Sequence, residues 1–164
     1  MWKAIQNKIQ DWQQIKTTIS IWKFKNEKIV FTNGCFDILH FGHLHYLAEA
    51  SSKGDKLIIG MNSAASVKRL KGNHRPINDE LTRLNMLASL QFVDAVVVFE
   101  EDTPLKLIEL VQPDVLVKGG DWKPDQIVGA DIVLEKGGEV LSLLFKEGYS
   151  TTNIEQKIIQ NFNS

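Results

Sequence analysis

The sequence predicts an α/β fold in which five parallel strands form one doubly wound sheet, with helices on both faces. Three observations support this prediction. Short apolar runs recur along the chain, and each of them ends in glycine or polar residues. Amphipathic stretches with helical spacing separate these runs, and the connections are short. The valines at 96–98 are typical of a strand that is buried on both faces of a parallel sheet.

Residues 1–25 are expected to form an amphipathic helical extension in front of the main domain, which spans residues 26–164. Its apolar residues recur at a spacing of three to four, and they are Trp2, Ile5, Ile9, Trp12, Ile19 and Trp22. We expect one helix or a pair of helices packed on the domain. A homodimer contact is the alternative, because three tryptophans on one stripe are a large apolar surface to leave in water.

The main domain divides into alternating strands and helices. The predicted strands cover residues 28–32, 56–61, 94–99, 115–117 and 139–145. The predicted helices cover residues 42–52, 79–89 and 103–111, with a short helical piece after residue 122 and a last helix that opens at 148–152. Thr103 is the expected N-cap of the 103–111 helix, and Thr152 with Glu155 has the spacing of a capping box.

Composition sets the broad class of the protein. The chain has 164 residues with 43% hydrophobic and 24% charged content, which fits one globular domain with a sizeable core. A net charge of −1 argues against a general nucleic-acid binder. Cys35 is the only cysteine, so no internal disulfide can form and a reducing compartment fits. No apolar run approaches the ~20 residues that span a bilayer, and no signal-peptide core is present, so we expect a cytoplasmic protein without a membrane partner.

The stretch IVFTNGCFDILHFGH, residues 29–43, reads as a buried strand, a turn and the start of a helix. His40 and His43 lie three apart and therefore stand over the first helical turn, beside backbone N–H groups without helical partners. Gly42 between them has no Cβ, so a phosphate could approach the backbone. Imidazole donates a hydrogen bond when neutral and becomes a cation when a phosphate raises its pKa. The stretch therefore predicts a phosphate site.

Two other interpretations of the histidines remain. The first is a polar helix start in which the histidines have no function. The second is a zinc site, but at about 100° per residue His45 lies about 200° around the helix from His43 and cannot share its face. We therefore expect His45 to be a surface or packing residue.

The polar stretch 66–76 follows the second strand and is predicted to be a basic loop. It carries Lys68, Arg69, Lys71, His74 and Arg75. A solvated surface loop is the simplest interpretation of such a cluster. In an open parallel sheet, however, ligands bind at the carboxyl ends of the strands, and this stretch follows one such end. Mobile cations here are expected beside a triphosphate.

Two later segments are also candidates for ligand contact. Gly119 and Gly120 follow the fourth strand and permit close approach of a ligand, and a plain tight turn is an equally good interpretation. Ser150, Thr151 and Thr152 open the last helix. Their hydroxyls either cap that helix or form a second phosphate cradle.

The pattern GCFDILHFGH, residues 34–43, resembles the signature of the nucleotidyltransferase superfamily, which includes class I aminoacyl-tRNA synthetases. Six further segments, in the same order and spacing, resemble the adenylyltransferase domain of bacterial ADP-heptose synthases over roughly residues 15–158. They are NSAASVKRLKG, RPIN, FEEDTP, DVLVKGGDWKP, GGEV and GYSTTNI. The resemblance implies a Rossmann-like nucleotidyltransferase fold.

The implied reaction transfers AMP from ATP, with Mg²⁺, to D-glycero-β-D-manno-heptose 1-phosphate. The products are ADP-heptose, for lipopolysaccharide core synthesis, and pyrophosphate. In the family this domain is often fused behind a sugar kinase. Only roughly 28 residues precede the first predicted strand, so we expect the kinase step to belong to a separate protein.

The resemblance also implies roles for individual residues. The catalytic residues would be His40, His43 and Lys71. The nucleotide would be bound by Asn33, Gly34, Cys35, Phe36, His40, Gly42, His43, Lys118, Gly119, Gly120, Asp121, Ser150, Thr151 and Thr152. The acceptor would be bound by Asp37, Asn62, Arg69 and Arg75. No direct protein ligand for the metal is implied, and Asp37 is either an outer ligand or a helix-capping carboxylate.

Two positions depart from the family pattern, because Ala64 stands where relatives usually have an aspartate and Trp122 replaces a usual tyrosine. Two alternative functions therefore stay open. One is a cytidylyltransferase that acts on another phosphorylated acceptor. The other is a nucleotide-binding regulatory module without catalysis. A tRNA synthetase is not expected, because nothing resembles a KMSKS loop.

Overall fold

The computed structural model of the chain describes residues 1–162, without the side chain of Pro124. Its centre is one sheet of five strands in which every pairing is parallel, in the order β3-β2-β1-β4-β5. The strands are β1 Ile29–Gly34, β2 Lys56–Asn62, β3 Ala95–Phe99, β4 Val115–Gly119 and β5 Glu139–Leu143. This confirms the predicted α/β fold and its doubly wound sheet.

Eight α-helices surround the sheet in the described part of the chain. They are α1 Trp2–Gln6, α2 Trp12–Phe24, α3 Phe41–Ser51, α4 Ala64–Lys71, α5 Glu80–Ala88, α6 Leu105–Val111, α7 Ala130–Glu135 and α8 Thr151–Phe162. A short 3₁₀ turn, Pro124–Gln126, precedes α7.

The hydrophobic core lies in two layers, one on each face of the sheet. Successive residues of a strand point to opposite faces, so Val30 of β1 packs in one layer and Phe31 in the other. Leu47 of α3 and Leu87 of α5 fill the first layer, and Leu107 of α6 belongs to the second. Because both faces are covered, the strands have no free polar face, and a site can form only at the strand ends.

The connections determine which strand ends form the site. The chain passes from β1 to β2 on one side and later returns to β4 on the other side of β1. A crevice opens where the strand order changes direction in this way, at the carboxyl end of β1. The predicted phosphate turn follows β1 directly and therefore lies at this crevice.

The N-terminal extension forms a pair of helices, α1 and α2, that lies against the edge of the sheet. Between the helices the chain pairs with β3: Gln10 N donates to Val96 O at 3.0 Å, and Val96 N donates to Lys8 O at 2.8 Å. Ile15 and Ile19 of α2 are buried in the core. The extension therefore covers the polar backbone of an edge strand, which is otherwise free to pair with another chain.

The basic loop predicted at 66–76 is wrong over its first half, which is helix α4. Ser63 caps this helix, since its Oγ accepts a hydrogen bond from Ser66 N at 3.0 Å. Val67 anchors the helix in the core, whereas Lys68 and Arg69 are exposed. The stretch looked like a loop because a single buried apolar side chain gives little helical periodicity.

Both predicted caps are also wrong. Helix α6 begins after Pro104, and no side chain caps it, so Thr103 is not its N-cap. At α8 the capping hydroxyl belongs to Ser150, whose Oγ accepts from Asn153 N at 3.0 Å. Glu155 forms an ion pair elsewhere instead of completing a capping box with Thr152. Strand β5 ends at Leu143, two residues before the predicted end.

Candidate active site

A cleft of about 810 Å³ opens at the carboxyl ends of β1, β2 and β4, and the start of α8 lies at its margin. Many of the residues that the sequence marked line this cleft. They are Asn33, Gly34, Cys35, Phe36, Asp37, His43, Asn62, Lys71, Arg75, Lys118, Gly119, Thr151 and Thr152. The fold thus gathers residues from four separate segments of the chain around one space large enough for a nucleotide.

The two predicted histidines form a stacked pair at the start of α3. Their ring centroids lie 3.9 Å apart with an interplanar angle of 27°. His40 is the N-cap residue of α3 but makes no capping hydrogen bond with its side chain. His43 lines the cleft, whereas His40 is not among the lining residues. His40 therefore adjoins the cleft through its stacking contact with His43.

Burial keeps both imidazoles neutral at pH 7. It lowers the pKa of His43 to about 4, and the charges of His40 and Lys71 add to this effect. Burial also lowers the pKa of His40. A backbone hydrogen bond with Ile38 opposes the lowering of the His43 pKa, while the Nδ1 atoms of both rings are buried and have no hydrogen-bond partner among the described residues. Buried polar atoms in folded proteins almost always have partners, so this pair has unused hydrogen-bonding capacity.

Phe36 supports His43 from the turn after β1. Its ring contacts the edge of the His43 ring at a centroid distance of 5.5 Å. The Phe36 backbone has a φ of 47°, in the left-handed region that is uncommon for an aromatic residue. A Cβ on Gly34 would meet the Phe36 ring at 3.0 Å, so only glycine leaves the ring its place. The turn is therefore built to hold this ring under His43.

Gly42 has a different role from the predicted one. A Cβ at this position would meet the His40 ring at 3.0 Å and the Cβ of Tyr149 at 3.1 Å. The space that the glycine leaves is therefore filled by protein side chains and not open to a phosphate. Glycine is needed here because His40 and the segment before α8 both pack closely against α3.

Asp37 is buried and holds the segment after α4. Its carboxylate accepts hydrogen bonds from Ile77 N at 2.9 Å, Asn78 N at 2.8 Å and Arg75 Nη1 at 2.8 Å. Burial raises the pKa of Asp37, but these hydrogen bonds together lower it further, so the net pKa lies below its ordinary value. Both carboxylate oxygens are already engaged by the protein, so neither acceptor binding nor metal ligation finds a free oxygen here.

Arg75 joins Asp37 to the last helix. Its side chain is buried, with Nη1 on Asp37 and Nη2 on Glu155 of α8. We call these three residues the Asp37–Arg75–Glu155 clasp. The clasp ties the turn after β1 to α8, which carries Thr151 and Thr152 to the margin of the cleft. The predicted acceptor residue Arg75 therefore lines the cleft while both of its terminal nitrogens are occupied.

Two lysines supply positive charge on either side of β1. Lys71 ends α4, which follows β2, and Lys118 lies near the end of β4. Burial lowers the pKa of Lys118. Neither lysine forms a salt bridge with any residue in the described part of the chain. Both cations therefore face the cleft without a protein counter-ion.

Some predicted residues lie outside the cleft lining. Arg69 is exposed, and it donates to Asp102 Oδ1 at 2.8 Å and to the Glu100 carbonyl. Gly120 adopts a φ of 113° in the turn after β4, and Asp121 is exposed. Ser150 caps α8. These residues shape the margins of the site and do not reach its centre.

The two residues that depart from the family pattern, Ala64 and Trp122, differ in their position relative to the cleft. Ala64 does not line the cleft, and its N–H donates to Glu80 Oε2 at 2.7 Å. Trp122 does line the cleft, and its Nε1 donates to Gly119 O at 3.0 Å. A Cβ on Gly119 would meet the ring of Phe145 at 2.5 Å. Trp122 and Phe145 thus add two aromatic side chains around Gly119, and Phe145 was not singled out in the sequence because it was read as part of β5.

Arg83 of α5 is a buried residue of the site region that the sequence did not indicate. It is fully buried, and its Nη1 donates to the carbonyl oxygens of Cys35 and Asn62. An arginine in an amphipathic helix is normally read as a surface residue, so no sequence signal could have identified it.

Residues 1–162 contain neither a group of metal ligands nor a membrane-spanning helix. No three His, Cys, Asp or Glu side chains there are grouped so that they could hold a metal ion. None of the helices in that range has the length and apolar character needed to cross a membrane.

Comparison with known proteins gives three results. The family model described as cytidylyltransferase-like matches residues 31–157. The bifunctional protein HldE of Geobacter metallireducens is 52% identical over 155 residues, which cover 94% of this chain and 32% of that protein. The bifunctional protein HldE of Campylobacter jejuni subsp. jejuni serotype O:2 is 58% identical over 136 residues, or 83% of this chain and 29% of that protein. The chain thus spans about a third of the length of these curated relatives.

Two solved structures share the fold. The lipopolysaccharide core biosynthesis protein from Thermoplasma volcanium GSS1 is 31% identical with a TM-score of 0.58, and the match covers 76% of this chain and 99% of that one. Pantoate-beta-alanine ligase from Francisella tularensis has a TM-score of 0.60 at 18% identity, with 95% of this chain and 79% of that one covered. The second likeness concerns the fold alone. From the family match over residues 31–157, this chain belongs to the cytidylyltransferase-like family of nucleotidyltransferases.

Proposed function

We propose that this chain transfers AMP from ATP to D-glycero-β-D-manno-heptose 1-phosphate and releases pyrophosphate. The observation that carries nucleotidyl transfer is the stacked, neutral pair of His40 and His43 beside a cleft flanked by Lys71 and Lys118. The acceptor is supported by the resemblance to ADP-heptose synthases and by the 31% identity to a lipopolysaccharide core biosynthesis protein.

The chemistry needs no nucleophilic side chain. An oxygen of the acceptor phosphate attacks the α-phosphorus of ATP, and the bond from that phosphorus to the bridging oxygen of the β-phosphate breaks. The acceptor phosphate is already a nucleophile at neutral pH, so no covalent intermediate with the protein forms. Catalysis then consists of alignment and of neutralising the charge on the departing pyrophosphate.

The histidine pair is suited to the leaving group. A neutral imidazole donates one hydrogen bond to a phosphate oxygen, and the phosphate charge then raises the pKa of the ring. The ring can therefore gain a proton as negative charge develops on the pyrophosphate. A well-placed donor of this kind contributes about 3 to 4 kcal/mol to transition-state stabilisation, by analogy with oxyanion sites.

The lysines and the last helix complete the phosphate site. Lys71 and Lys118 neutralise charge from the two sides of β1, and no protein carboxylate competes for them in the described part of the chain. Thr151 and Thr152 open a twelve-residue helix whose N-terminal dipole favours an anion. Together these groups hold the triphosphate in the orientation that in-line attack requires.

Magnesium would enter with ATP as part of the substrate. Mg²⁺ retains several waters and binds phosphate oxygens readily, so few protein ligands are needed. Asp37 is engaged by Arg75, Ile77 and Asn78, so this carboxylate does not fit the role of a metal ligand. The metal would neutralise phosphate charge, and every positioning step belongs to the protein residues above.

A pyrophosphate-release assay tests the proposal. The purified chain is given ATP or CTP with heptose 1-phosphate and with several other sugar 1-phosphates, and the nucleotide sugar is identified by mass spectrometry. We expect release with ATP and heptose 1-phosphate. A preference for CTP, which the cytidylyltransferase-like family match makes the second candidate, would overturn adenylyl transfer. Nucleotide binding without any release would favour a regulatory module.

A further inference from the structure

Arg83 is the largest of the fully buried side chains, with 0% of its surface exposed. It belongs to α5, and its guanidinium group lies below the floor of the cleft. The charge is unusual there because arginine is rarely buried without a paired carboxylate. No salt bridge to Arg83 occurs among the described residues.

One nitrogen of Arg83 joins the ends of two strands. Its Nη1 donates to Cys35 O at 2.8 Å and to Asn62 O at 2.9 Å. Cys35 directly follows β1, Asn62 is the last residue of β2, and both line the cleft. A hydrogen bond from a charged donor is about twice as strong as one between neutral groups, so this link fixes both carbonyls.

The link to Cys35 reaches the histidines through Phe36. The Cys35 carbonyl belongs to the peptide bond that precedes Phe36, the residue with the left-handed φ of 47°. The Phe36 ring in turn contacts the edge of His43. Fixing the Cys35 carbonyl therefore fixes the turn that sets the height and tilt of the His43 ring.

The charge of Arg83 is only partly compensated. Its Nε and Nη2 are buried and have no hydrogen-bond partner in residues 1–162. Burial lowers the pKa of the guanidinium, while the more distant carboxylates of Glu80 and Asp37 oppose the shift. Guanidinium stays protonated in proteins, so the cleft floor carries a permanent positive charge. Such a charge attracts an anion more strongly through protein than through water.

We propose that Arg83 is a positioning residue of the phosphate site. It holds the peptide that sets His43, and its buried charge favours a polyphosphate in the cleft. The inference deepens the proposed function, since the polyphosphate is that of the nucleotide substrate. It does not depend on the identity of the acceptor.

Three variants test the inference. Arg83→Met removes the charge and the donors at similar length, and Arg83→Lys keeps the charge but loses the planar fork. Leu87→Ala is the matched control, because Leu87 is fully buried on the same helix and packs only in the core. The measurements are the affinity for ATP by calorimetry, the imidazole NMR resonances of His40 and His43, and the unfolding temperature.

We expect Arg83→Met to weaken ATP binding by about tenfold, within the range of residues that act on a ligand through the protein without contacting it. It should also shift the resonances of both histidines. Arg83→Lys should recover most of the affinity while the resonances stay shifted, because one ammonium group cannot reproduce the fork geometry. Leu87→Ala should lower the unfolding temperature and leave the affinity and the resonances as in the wild type.

The inference fails if Arg83→Met binds ATP as tightly as Leu87→Ala does and leaves the histidine resonances in place. If Arg83→Met does not fold, Arg83→Lys decides: wild-type resonances in that variant would overturn the positioning role. None of these measurements uses an acceptor. Failure of the heptose assay together with the expected Arg83 results would therefore overturn the proposed acceptor and not this inference.

Discussion

Two groups of polar residues at the cleft differ in how they are satisfied. In the histidine group, His40 and His43 have unpartnered Nδ1 atoms, and Lys118 has no salt bridge among the described residues. In the other group, Asp37 and Arg75 are fully engaged with each other and with their neighbours. Buried polar groups are normally paired, so we expect the unpaired group to bind the ligand and the paired group to act as scaffold.

The comparison also separates two uses of charge. The ion pairs of the Asp37–Arg75–Glu155 clasp hold α8 to the turn after β1. We expect them to stabilise the fold whether or not substrate is present. The histidines and the two lysines of the cleft form no ion pair in the described part of the free protein. Substitutions in the two groups should therefore affect different quantities, turnover in one group and stability in the other.

The largest effect is expected at His43. His43→Ala should lower kcat by about 100- to 1000-fold, the range seen when a transition-state hydrogen-bond donor is removed. The KM for ATP should change little, because the contact strengthens as the pyrophosphate leaves. His45→Ala is the matched control, since His45 is exposed on the same helix, and it should behave as the wild type. A loss confined to ATP affinity in His43→Ala would contradict the transition-state role.

The clasp should show the opposite pattern. Asp37→Asn should lower the free energy of unfolding by about 3 kcal/mol, because the buried Nη1 of Arg75 loses its carboxylate partner and only the pair with Glu155 remains. Urea unfolding gives this value. Asp131→Asn, an exposed aspartate on α7, is the control and should have little effect. If Asp37→Asn keeps wild-type stability, the clasp is not the scaffold that the comparison requires.

The same variant has a pH signature. The pKa of Asp37 in the folded protein lies below its ordinary value of 3.8, so its contribution to stability is present above pH 4. The contribution is lost as the pH falls through the lowered pKa. Asp37→Asn should remove this acid-side loss, and unfolding curves from pH 7 down to pH 2 measure it.

A smaller effect is expected at Lys118. Lys118→Met should weaken ATP binding by about tenfold, since one unpaired cation near the phosphates contributes on the order of 1 to 2 kcal/mol. The affinity should also depend less steeply on salt concentration, because one charge attraction is missing. Calorimetry at two salt concentrations measures both. An unchanged affinity and salt dependence would show that Lys118 does not interact with the phosphates and belongs with the scaffold residues.

The smallest effect is expected at Arg69. This arginine is exposed and does not line the cleft itself, and it pairs with Asp102, which lies in the cleft lining. Exposed ion pairs contribute about 0 to 1 kcal/mol, so Arg69→Ala should lower the free energy of unfolding by about 1 kcal/mol at most. The acceptor KM should stay close to the wild-type value, because Arg69 does not line the cleft. A tenfold rise in acceptor KM would show that Arg69 reaches the acceptor, as the sequence predicted.

The sequence predicted the parts of the site that depend on local order. The strand β1, the turn and the start of α3 follow one another in the chain, so apolar periodicity and the two histidines sufficed to locate the turn that we propose binds phosphate. The parallel sheet followed from the alternation of strands and helices. The glycine pair after the fourth strand indicated Gly119, and the family resemblance added Lys118; both line the same cleft from β4.

The remaining features depend on contacts that no local pattern contains. Arg75 meets Glu155 from 80 positions away, and Arg83 meets Cys35 from 48 positions away. Spacing in the sequence cannot predict such pairs. The sequence analysis likewise explained Gly42 by the approach of a phosphate. The structure shows that Tyr149 packs against this glycine, a contact that is visible only in three dimensions.

The pKa of His43 tests most directly whether a neutral imidazole pair holds the phosphates of the nucleotide. An NMR titration of the imidazole resonances, without nucleotide and with a non-hydrolysable ATP analogue, measures it. We expect a pKa of about 4 in the free protein, and a value about one unit or more higher with the analogue bound. An unchanged pKa on binding would contradict the account, because the phosphates would then not be in contact with the histidines.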